Sequence, residues 1–215
     1  MAAGLSLNGF GGGGGIGKTM AEWITEGETS IDVYGYRAWR FGRTYQDPTY
    51  TAEMARESYK YYYRLRYPFD QDEWARPRRV SALHSRLQDL GAVFGKKNGW
   101  ERPDYFEPGW HWRRAGADQR EWGWTKPPFF DLVGAEHQAF RERVGLIDMT
   151  SFGKIDIEGA GALALLQRLA DSEMDRKVGS VIYTQFLNTR GGVAADVTVT
   201  RLGRNHFRVV TGAGF

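Results

Sequence analysis

The stretch KIDIEGAGALALLQRLA, residues 154–170, changes its hydrophobic period partway along. In KIDIE the apolar side chains alternate with charged ones, which predicts a half-buried β-strand. After a glycine-rich turn, Leu163, Leu166 and Leu169 recur at helical spacing and predict an amphipathic α-helix. A strand joined directly to such a helix indicates a sheet covered by helices, so we expect an α+β fold.

Three further strand-like runs follow in SVIYTQFLNTRGGVAADVTVTRLGRNHFRVVTG, residues 180–212. Turn-forming residues separate them: Asn188 to Gly192 predict the first turn, and Gly203 to Asn205 the second. The sequence stops at VVTGAGF, soon after the last run. We therefore expect this run to be an unpartnered strand in a domain that is cut short.

Two helices and an aromatic connection are predicted upstream. Asp47 and the proline after it predict the N-cap and first turn of one helix. Ser81 predicts the cap of a second helix, which Gly91 ends. Residues 95–128 are rich in Trp, Gly and Pro without a period. Because they are too aromatic for a disordered tail, we expect a packed irregular connection.

Tyrosine and arginine alternate irregularly in TAEMARESYKYYYRLRYP, residues 51–68. Such a mixture is found on surfaces that stack nucleic-acid bases. Met54, Ser58, Tyr62 and Leu65 nevertheless follow one helical face. We favour a helix whose amphipathic side chains pack against a neighbouring domain, and we expect no nucleic-acid partner.

The composition excludes several classes of protein. The 215 residues carry a net charge of only +3 and contain no cysteine, which excludes disulfides, thiolate metal sites and a cysteine nucleophile. The four histidines show no metal-ligand spacing, so we expect no metal. No apolar run approaches the ~20 residues of a membrane span, and we expect a soluble intracellular protein without a membrane partner. Most of the aromatic residues lie before residue 130, which indicates at least two structural units.

GGGGGIGKT, residues 11–19, matches the phosphate-binding P-loop pattern from Gly12 onward. A buried strand should deliver such a loop, yet only MAAGLSLNGF stands before it, and no later apolar strand supplies an Asp for magnesium. The alternatives are a flexible linker and a turn whose backbone N–H groups approach an electron-rich ligand where a helix starts. We favour the turn, because an amphipathic helix with Met20, Trp23 and Ile24 follows at once.

Residues 2–41 resemble the end of the flavin domain in the dimethylglycine and sarcosine dehydrogenase family. The resemblance rests on the glycine run, on AEWI at 21–24, on Gly27 and on Arg40-Phe41. GWERPDYF, residues 99–106, is similar to a further motif of the same family. The resemblance implies a glycine-rich turn beside the flavin ring of FAD, with flavin contacts from Gly13, Gly14, Gly15, Ile16 and Gly17.

The C-terminal part resembles the folate-binding domain of the glycine-cleavage T-protein, an aminomethyltransferase. GLIDMTSFGKIDIEGAGALALLQRL and YTQFLNTRGGVAADVTVTRL carry the resemblance. T-proteins usually show two consecutive acids after Gly-Gly, whereas this sequence has Ala195 and then Asp196, as in the fused dehydrogenases. The resemblance implies that Asp196 is catalytic, and that Asp196, Tyr183 and Met149 contact tetrahydrofolate.

The resemblance also implies a domain order. Residues 1–45 would end an FAD-binding oxidoreductase domain, residues 46–128 would form its central domain and aromatic connection, and residues 129–215 would begin a truncated T-protein-like folate domain. The nucleotide-binding strand, turn and helix of such flavoenzymes are not in this sequence. We therefore expect an internal fragment of a longer enzyme.

The implied activity is oxidative demethylation of a small N-methyl amino acid. FAD would accept a hydride equivalent from the N-methyl group, and tetrahydrofolate would capture the one-carbon unit. An electron-acceptor protein or oxygen would reoxidise the flavin, in a bacterial cytoplasm or a mitochondrial matrix, and the fragment alone would be inactive. The alternatives are a non-catalytic regulatory or interaction homologue and, less favoured, a P-loop nucleotide-binding protein.

Overall fold

The computed structural model describes residues 2–5, 8–37, 42–66, 70–109 and 124–213. The chain divides into two compact units, Met1–Glu53 and Met54–Phe215. The Arg40-Phe41 element and residues 110–123 of the aromatic connection lie outside the described residues. None of the described helices is both long and apolar enough to cross a membrane.

The first unit contains helix α1, Gly9–Glu26, and two short 3₁₀ turns, Tyr34–Tyr36 and Arg43–Gln46. No residue of α1 is buried. The helix ends at Gly27, whose φ of 80° is the left-handed conformation that glycine adopts without strain.

The glycine run is helical, and the turn predicted there is wrong. Because α1 begins at Gly9, residues 11–17 lie inside it. The Gly12 N–H already donates to the Asn8 carbonyl at 2.8 Å, and each further residue adds one backbone hydrogen bond to the helix. The N–H groups of Gly13–Gly17 are therefore engaged within the helix and are not presented at a loop.

Helix α2, Pro48–Lys60, starts where the sequence predicts. The Thr49 N–H donates to Asp47 Oδ1 at 2.9 Å, so the Asp47 carboxylate satisfies a backbone donor at the helix start. The helix ends at Lys60, however, and Tyr62 and Leu65 do not continue its face.

Helix α3, His84–Asp89, is shorter than the segment that the sequence indicates. Leu83 is its N-cap, so the prediction that Ser81 caps it is wrong. Ser81 Oγ instead accepts the Leu83 N–H at 3.2 Å in the turn before the helix. Gly91, at φ 82°, follows the C-cap and ends the helix as predicted.

The start of the aromatic segment is a β-hairpin, which corrects the prediction of an irregular connection. Strands β1, Ala92–Lys97, and β2, Trp100–Phe106, pair in antiparallel register. Asn98 and Gly99 join them with φ values of 49° and 79°. Positive φ at both central residues is the geometry of a tight two-residue hairpin turn.

The hairpin packs against helix α4, Phe130–Glu142. The ring of Tyr105 stacks on that of Phe129 with centroids 4.6 Å apart, and the Phe106 N–H donates to Glu136 Oε1 at 2.7 Å. α4 ends at Glu142.

The C-terminal region confirms the predicted strand, helix and three strands. Their bounds are β3 Gly153–Glu158, α5 Ala162–Leu169, β4 Val181–Leu187, β5 Val193–Gly203 and β6 His206–Thr211. The four strands form one antiparallel sheet in the order β3-β6-β5-β4. The last strand therefore pairs on both sides, and the expectation that it is unpartnered is wrong.

One face of this sheet carries the core. Leu166 of α5, Val199 of β5 and Phe207 of β6 are fully buried, together with Met174. Full burial of such side chains contributes about 1.5–3 kcal/mol each. Because side chains alternate along a strand, the opposite face of the sheet is left polar and accessible. The fold is α+β, as predicted.

Candidate functional site

The candidate site lies on the polar face of the four-stranded sheet, which we call the outer face. Strand register and the alternation of burial along each strand identify the side chains that lie on this face. They are Lys154, Asp156 and Glu158 on β3; His206, Arg208 and Val210 on β6; Asp196, Thr198 and Thr200 on β5; and Val181, Tyr183 and Gln185 on β4.

Tyr183 and Asp196 are brought together on this face. The Tyr183 hydroxyl donates to Asp196 Oδ2 at 3.0 Å, and this hydrogen bond raises the pKa of the phenol. Thr211 Oγ1 donates to the Asp196 carbonyl at 3.0 Å and fixes the backbone from the neighbouring strand. The predicted location of the two residues on adjacent strands is confirmed, whereas their folate-binding roles stay a prediction.

The Asp196 carboxylate is both held and accessible. The residue is exposed, and its Oδ1 accepts no hydrogen bond from the described part of the chain. One oxygen is thus fixed by the phenol while the other faces solvent. A carboxylate in this state can accept an N–H from a ligand and take up a proton from it.

Met149 lies near the β3 edge of the sheet, whereas Tyr183 lies on β4 at the opposite edge. It precedes β3, and its carbonyl accepts the Lys154 amine at 2.7 Å. The register runs from Lys154 through Val210 and Thr198 to Tyr183, three interstrand spacings of about 4.8 Å each. A ligand that touches both Met149 and Tyr183 would therefore span the outer face, and the role of Met149 stays a prediction.

A charged cluster on β3 and β6 was not expected from the sequence. Arg208 donates through Nε and Nη2 to the two oxygens of Asp156, each at 2.8 Å, and lowers the pKa of Asp156 to about 2. His206 Nε2 lies 3.3 Å from Asp156 and 3.2 Å from Glu158. Although three of these residues offer metal-ligating atoms, the guanidinium already engages both oxygens of Asp156, and the arrangement is an ion-pair network.

In the first unit, the glycines of α1 present a helix surface without side chains. Gly13, Gly14, Gly15 and Gly17 are exposed, and nothing lies within 4 Å of where their side chains would start. Ile16, within this run, is half-buried. A planar ligand could approach this backbone closely, which fits a flavin ring. The assignment of flavin contacts to these residues stays a prediction.

Lys18 is engaged within its own unit. Its amine pairs with Glu22 and donates to Ser30 Oγ at 2.9 Å, and its hydrogen bond lowers the pKa of Glu22 to about 2. A P-loop lysine must instead reach the phosphates of a nucleotide from a loop. The helical glycines and the paired lysine both argue against a P-loop.

We therefore expect the chain not to bind MgATP. Isothermal titration calorimetry should detect no binding to the wild-type chain or to Lys18→Ala, because the glycine run is part of helix α1 and its backbone N–H groups do not form a loop that could hold the phosphates. Glu22→Gln is the matched control, since it releases Lys18 from its carboxylate partner and should still give no binding. Micromolar affinity that disappears in Lys18→Ala would restore the P-loop hypothesis.

Two family models match the chain. The FAD dependent oxidoreductase central domain matches residues 26–81, and the GCVT N-terminal domain matches residues 83–215. The order of the two matches is the order that the sequence predicts. The boundaries at residues 45 and 128 remain a prediction.

Curated relatives match almost the whole chain. It is 35% identical over 211 residues to 4-methylaminobutanoate oxidase (formaldehyde-forming) of Paenarthrobacter nicotinovorans, covering 98% of this chain and 25% of that protein. It is 33% identical over 216 residues to mitochondrial sarcosine dehydrogenase of Homo sapiens, covering 90% and 23%. It is 35% identical over 212 residues to the mitochondrial pyruvate dehydrogenase phosphatase regulatory subunit of Mus musculus, covering 98% and 23%.

The chain spans about a quarter of the length of these relatives. Within that span, the match to the central oxidoreductase domain precedes the match to the GCVT domain, which is the order predicted from the sequence. The chain belongs to the dimethylglycine and sarcosine dehydrogenase family, in which an FAD-dependent oxidoreductase central domain is followed by a GCVT N-terminal domain.

Proposed function

We propose that this chain is an internal part of a longer FAD-dependent enzyme that demethylates N-methyl amino acids and passes the one-carbon unit to tetrahydrofolate. Family membership and the names of the relatives support the oxidative half. The transfer of the one-carbon unit is supported by one observation, the hydrogen bond from Tyr183 to the accessible carboxylate of Asp196. This pair supplies an oriented acceptor on a face that is open to a ligand.

On the flavin side, the chain contributes the glycine surface of α1. Bound FAD would supply the oxidising chemistry by accepting a hydride equivalent from the N-methyl carbon. Gly13, Gly14, Gly15 and Gly17 would allow the ring to lie against the backbone, and Ile16 would lie beside it. A side chain at any of these four glycines would occupy the open space that the ring needs.

On the folate side, Asp196 would accept the N–H of the pterin nitrogen that attacks the one-carbon unit. Oδ1 of Asp196 would accept this hydrogen bond, while Oδ2 accepts the hydrogen bond from the Tyr183 hydroxyl. The carboxylate would orient the nitrogen and take its proton as the new C–N bond forms. The C–N bond between the one-carbon unit and the amino acid would then break, and the demethylated amine would leave with that proton. Without this capture, the iminium formed by oxidation would hydrolyse to formaldehyde.

The remaining partners follow from the proposed reaction. The reduced flavin would pass its electrons to an acceptor protein or to oxygen. We propose a bacterial cytoplasm or a mitochondrial matrix as the location, the latter because several relatives are named mitochondrial.

The proposal is tested by following the fate of the methyl carbon. In a full-length enzyme that contains this chain, adding tetrahydrofolate should convert most of the one-carbon product from free formaldehyde to methylenetetrahydrofolate. Oxidation of the amine should continue at the same rate, because it takes place at the flavin. An undiminished yield of formaldehyde with saturating tetrahydrofolate would contradict the proposal.

A second candidate is a non-catalytic regulatory homologue. The similarity to the phosphatase regulatory subunit, over 98% of this chain, favours it. This candidate predicts no oxidation of sarcosine, dimethylglycine or 4-methylaminobutanoate by the FAD-loaded full-length protein. Turnover of any of these amines would exclude it.

A further inference from the structure

We propose that Arg102 binds a carboxylate of the glutamate tail of tetrahydrofolate. This inference rests on the proposed function, which places the reactive pterin nitrogen at Asp196. It gives a ligand contact to the β1–β2 hairpin, whose residues take no part in the proposed transfer of the one-carbon unit. Tetrahydrofolate would then be held at both of its ends.

The guanidinium of Arg102 is held in place but has no anionic partner. Arg102 lies on β2 and is half-buried. Its guanidinium carbon lies over the Phe152 ring, 5.4 Å from the ring centroid. Within the described part of the chain, this guanidinium forms no hydrogen bond and no ion pair. A guanidinium that packs on a ring through its face keeps its N–H donors at its edge, and these match the two oxygens of a carboxylate.

A short path of contacts leads from Asp196 to Arg102. The Thr211 hydroxyl on β6 donates to the Asp196 carbonyl at 3.0 Å. Thr211 also pairs with Gly153 at the start of β3, and Phe152 directly precedes that glycine. Two interstrand spacings separate β5 from β3, and the guanidinium lies beyond the Phe152 ring, so the span from Asp196 to Arg102 is on the order of 15 Å.

Tetrahydrofolate is long enough for this span. About 11 covalent bonds connect the reactive pterin nitrogen to the nearer tail carboxylate, which is an extended length on the order of 13 Å. A hydrogen bond of about 3 Å at each end lengthens the reach. A ligand whose pterin nitrogen contacts Asp196 can therefore place a tail carboxylate at Arg102 when it lies across β5, β6 and β3 in that order.

The arginine and the lysine of the outer face are already engaged. Arg208 donates two hydrogen bonds to the carboxylate of Asp156. Lys154 donates to the carbonyls of Met149 and Thr150 at 2.7 and 3.1 Å. Both cations would have to give up protein partners to bind a carboxylate, whereas the guanidinium on the hairpin would not.

Lys97 adds positive charge beside Arg102. Strand register puts the two side chains on the same side of the hairpin. Lys97 is exposed and has no hydrogen bond or ion pair with any residue that the structure describes. The carboxylate of Asp104, on the same strand as Arg102, forms no ion pair with either cation and instead accepts the Gln71 side-chain amide at 3.4 Å. The hairpin therefore keeps two cations available for an anionic ligand.

The test compares tetrahydrofolate with its α,γ-diamide, in which both tail carboxylates are replaced by neutral amides, in a full-length enzyme that contains this chain. For the wild type, the KM for the diamide should exceed that for tetrahydrofolate about 10-fold, the worth of one charge-assisted hydrogen bond. Arg102→Met should raise the KM for tetrahydrofolate by the same factor and leave the KM for the diamide unchanged. The kcat for methylenetetrahydrofolate formation and the rate of amine oxidation should stay at their wild-type values.

Arg168→Met is the matched control. Arg168 is an exposed arginine of α5, the helix that packs on the opposite face of the sheet, so the variant removes the same charge away from the ligand. It should match the wild type with both ligands. An equal rise of both KM values in Arg102→Met would mean that Arg102 only supports Phe152, and it would overturn the inference. Unchanged KM values in Arg102→Met would overturn it as well.

Asp196→Asn separates this inference from the proposed function. If that variant loses transfer while Arg102→Met behaves as the wild type does, the proposed function stands and the inference alone fails. If Asp196→Asn transfers the one-carbon unit at the wild-type rate, the proposed function fails, and the role of Arg102 fails with it.

Discussion

Glu101→Gln should lower the free energy of unfolding of the second unit by about 3–5 kcal/mol, the cost of leaving a buried charge without its partner. Glu101 lies on β2, and its carboxylate pairs with the Arg76 guanidinium. Both side chains are only 2% exposed. The glutamine keeps the shape of the side chain and removes its charge, so the change in stability reports the ion pair and not a cavity.

The geometry around Arg76 explains why the loss should be large. Its Nε lies 3.0 and 3.2 Å from the two oxygens of Glu101, Nη2 donates to the Phe94 carbonyl at 2.8 Å, and Nη1 donates to the Asp72 carbonyl at 2.8 Å. The guanidinium thus joins the segment before α3 to both strands of the hairpin. Without the Glu101 carboxylate, the guanidinium loses the acceptor of three of its hydrogen bonds while its side chain stays buried.

Asp156→Asn is the matched control, because Asp156 also receives two hydrogen bonds from one arginine. That pair is 34% and 48% exposed, so solvent screens it, and its loss should leave stability nearly unchanged. Urea denaturation followed by tryptophan fluorescence measures both variants. The double variant Arg76→Met/Glu101→Leu, which removes both charges, should recover much of the loss. Equal effects of Glu101→Gln and Asp156→Asn would show that burial does not strengthen the first pair.

The parts of the fold that the sequence predicts correctly have strong local signals. β3 and α5 differ in hydrophobic period, and the turn at 188–192 is marked by its glycines; the Asn188 N–H donates to the Gly192 carbonyl at 2.8 Å. The β1–β2 hairpin was missed because its aromatic and proline residues hide the alternation. The signal was the dipeptide Asn98-Gly99, which favours a tight hairpin turn.

The glycine run shows the opposite error, a strong local signal that gave the wrong conformation. The sequence predicts a turn there because glycines before a helix start let backbone N–H groups approach a ligand. Glycine also disfavours a helix by about 1 kcal/mol relative to alanine. In the structure these residues continue the helix that carries the Lys18–Glu22 pair at spacing i, i+4.

The candidate site was only partly predictable. Tyr183 and Asp196 lie on strands joined by one turn, so their proximity follows from the hairpin. The pairing of Asp156 with Arg208 joins strands that are distant in the sequence, and nothing local indicates that β6 lies between β3 and β5. The position of Gln185 opposite Asp196 depends on the register of β4 and β5, which includes an irregularity at Phe186/Leu187 that no sequence pattern reveals.

Asp196→Asn should lower the rate of one-carbon transfer about 10²-fold in a full-length enzyme, the usual contribution of a positioned acid–base group. The asparagine has nearly the same shape, and its oxygen can still accept the Tyr183 hydroxyl, so the sheet should fold normally. The amide cannot take up the proton of the attacking pterin nitrogen. Amine oxidation should continue at the wild-type rate, because it takes place at the flavin.

The product distribution separates this role from a structural one. Free formaldehyde should rise by the amount that methylenetetrahydrofolate falls, since oxidation still releases the same one-carbon unit. Asp156→Asn removes another carboxylate of the outer face that is already paired with Arg208, and it should leave both products unchanged. A misfolded domain would slow transfer and also alter the far-UV circular dichroism, whereas loss of the proton acceptor slows transfer alone. Wild-type formation of methylenetetrahydrofolate in Asp196→Asn would show that this carboxylate is an ordinary exposed acid of β5.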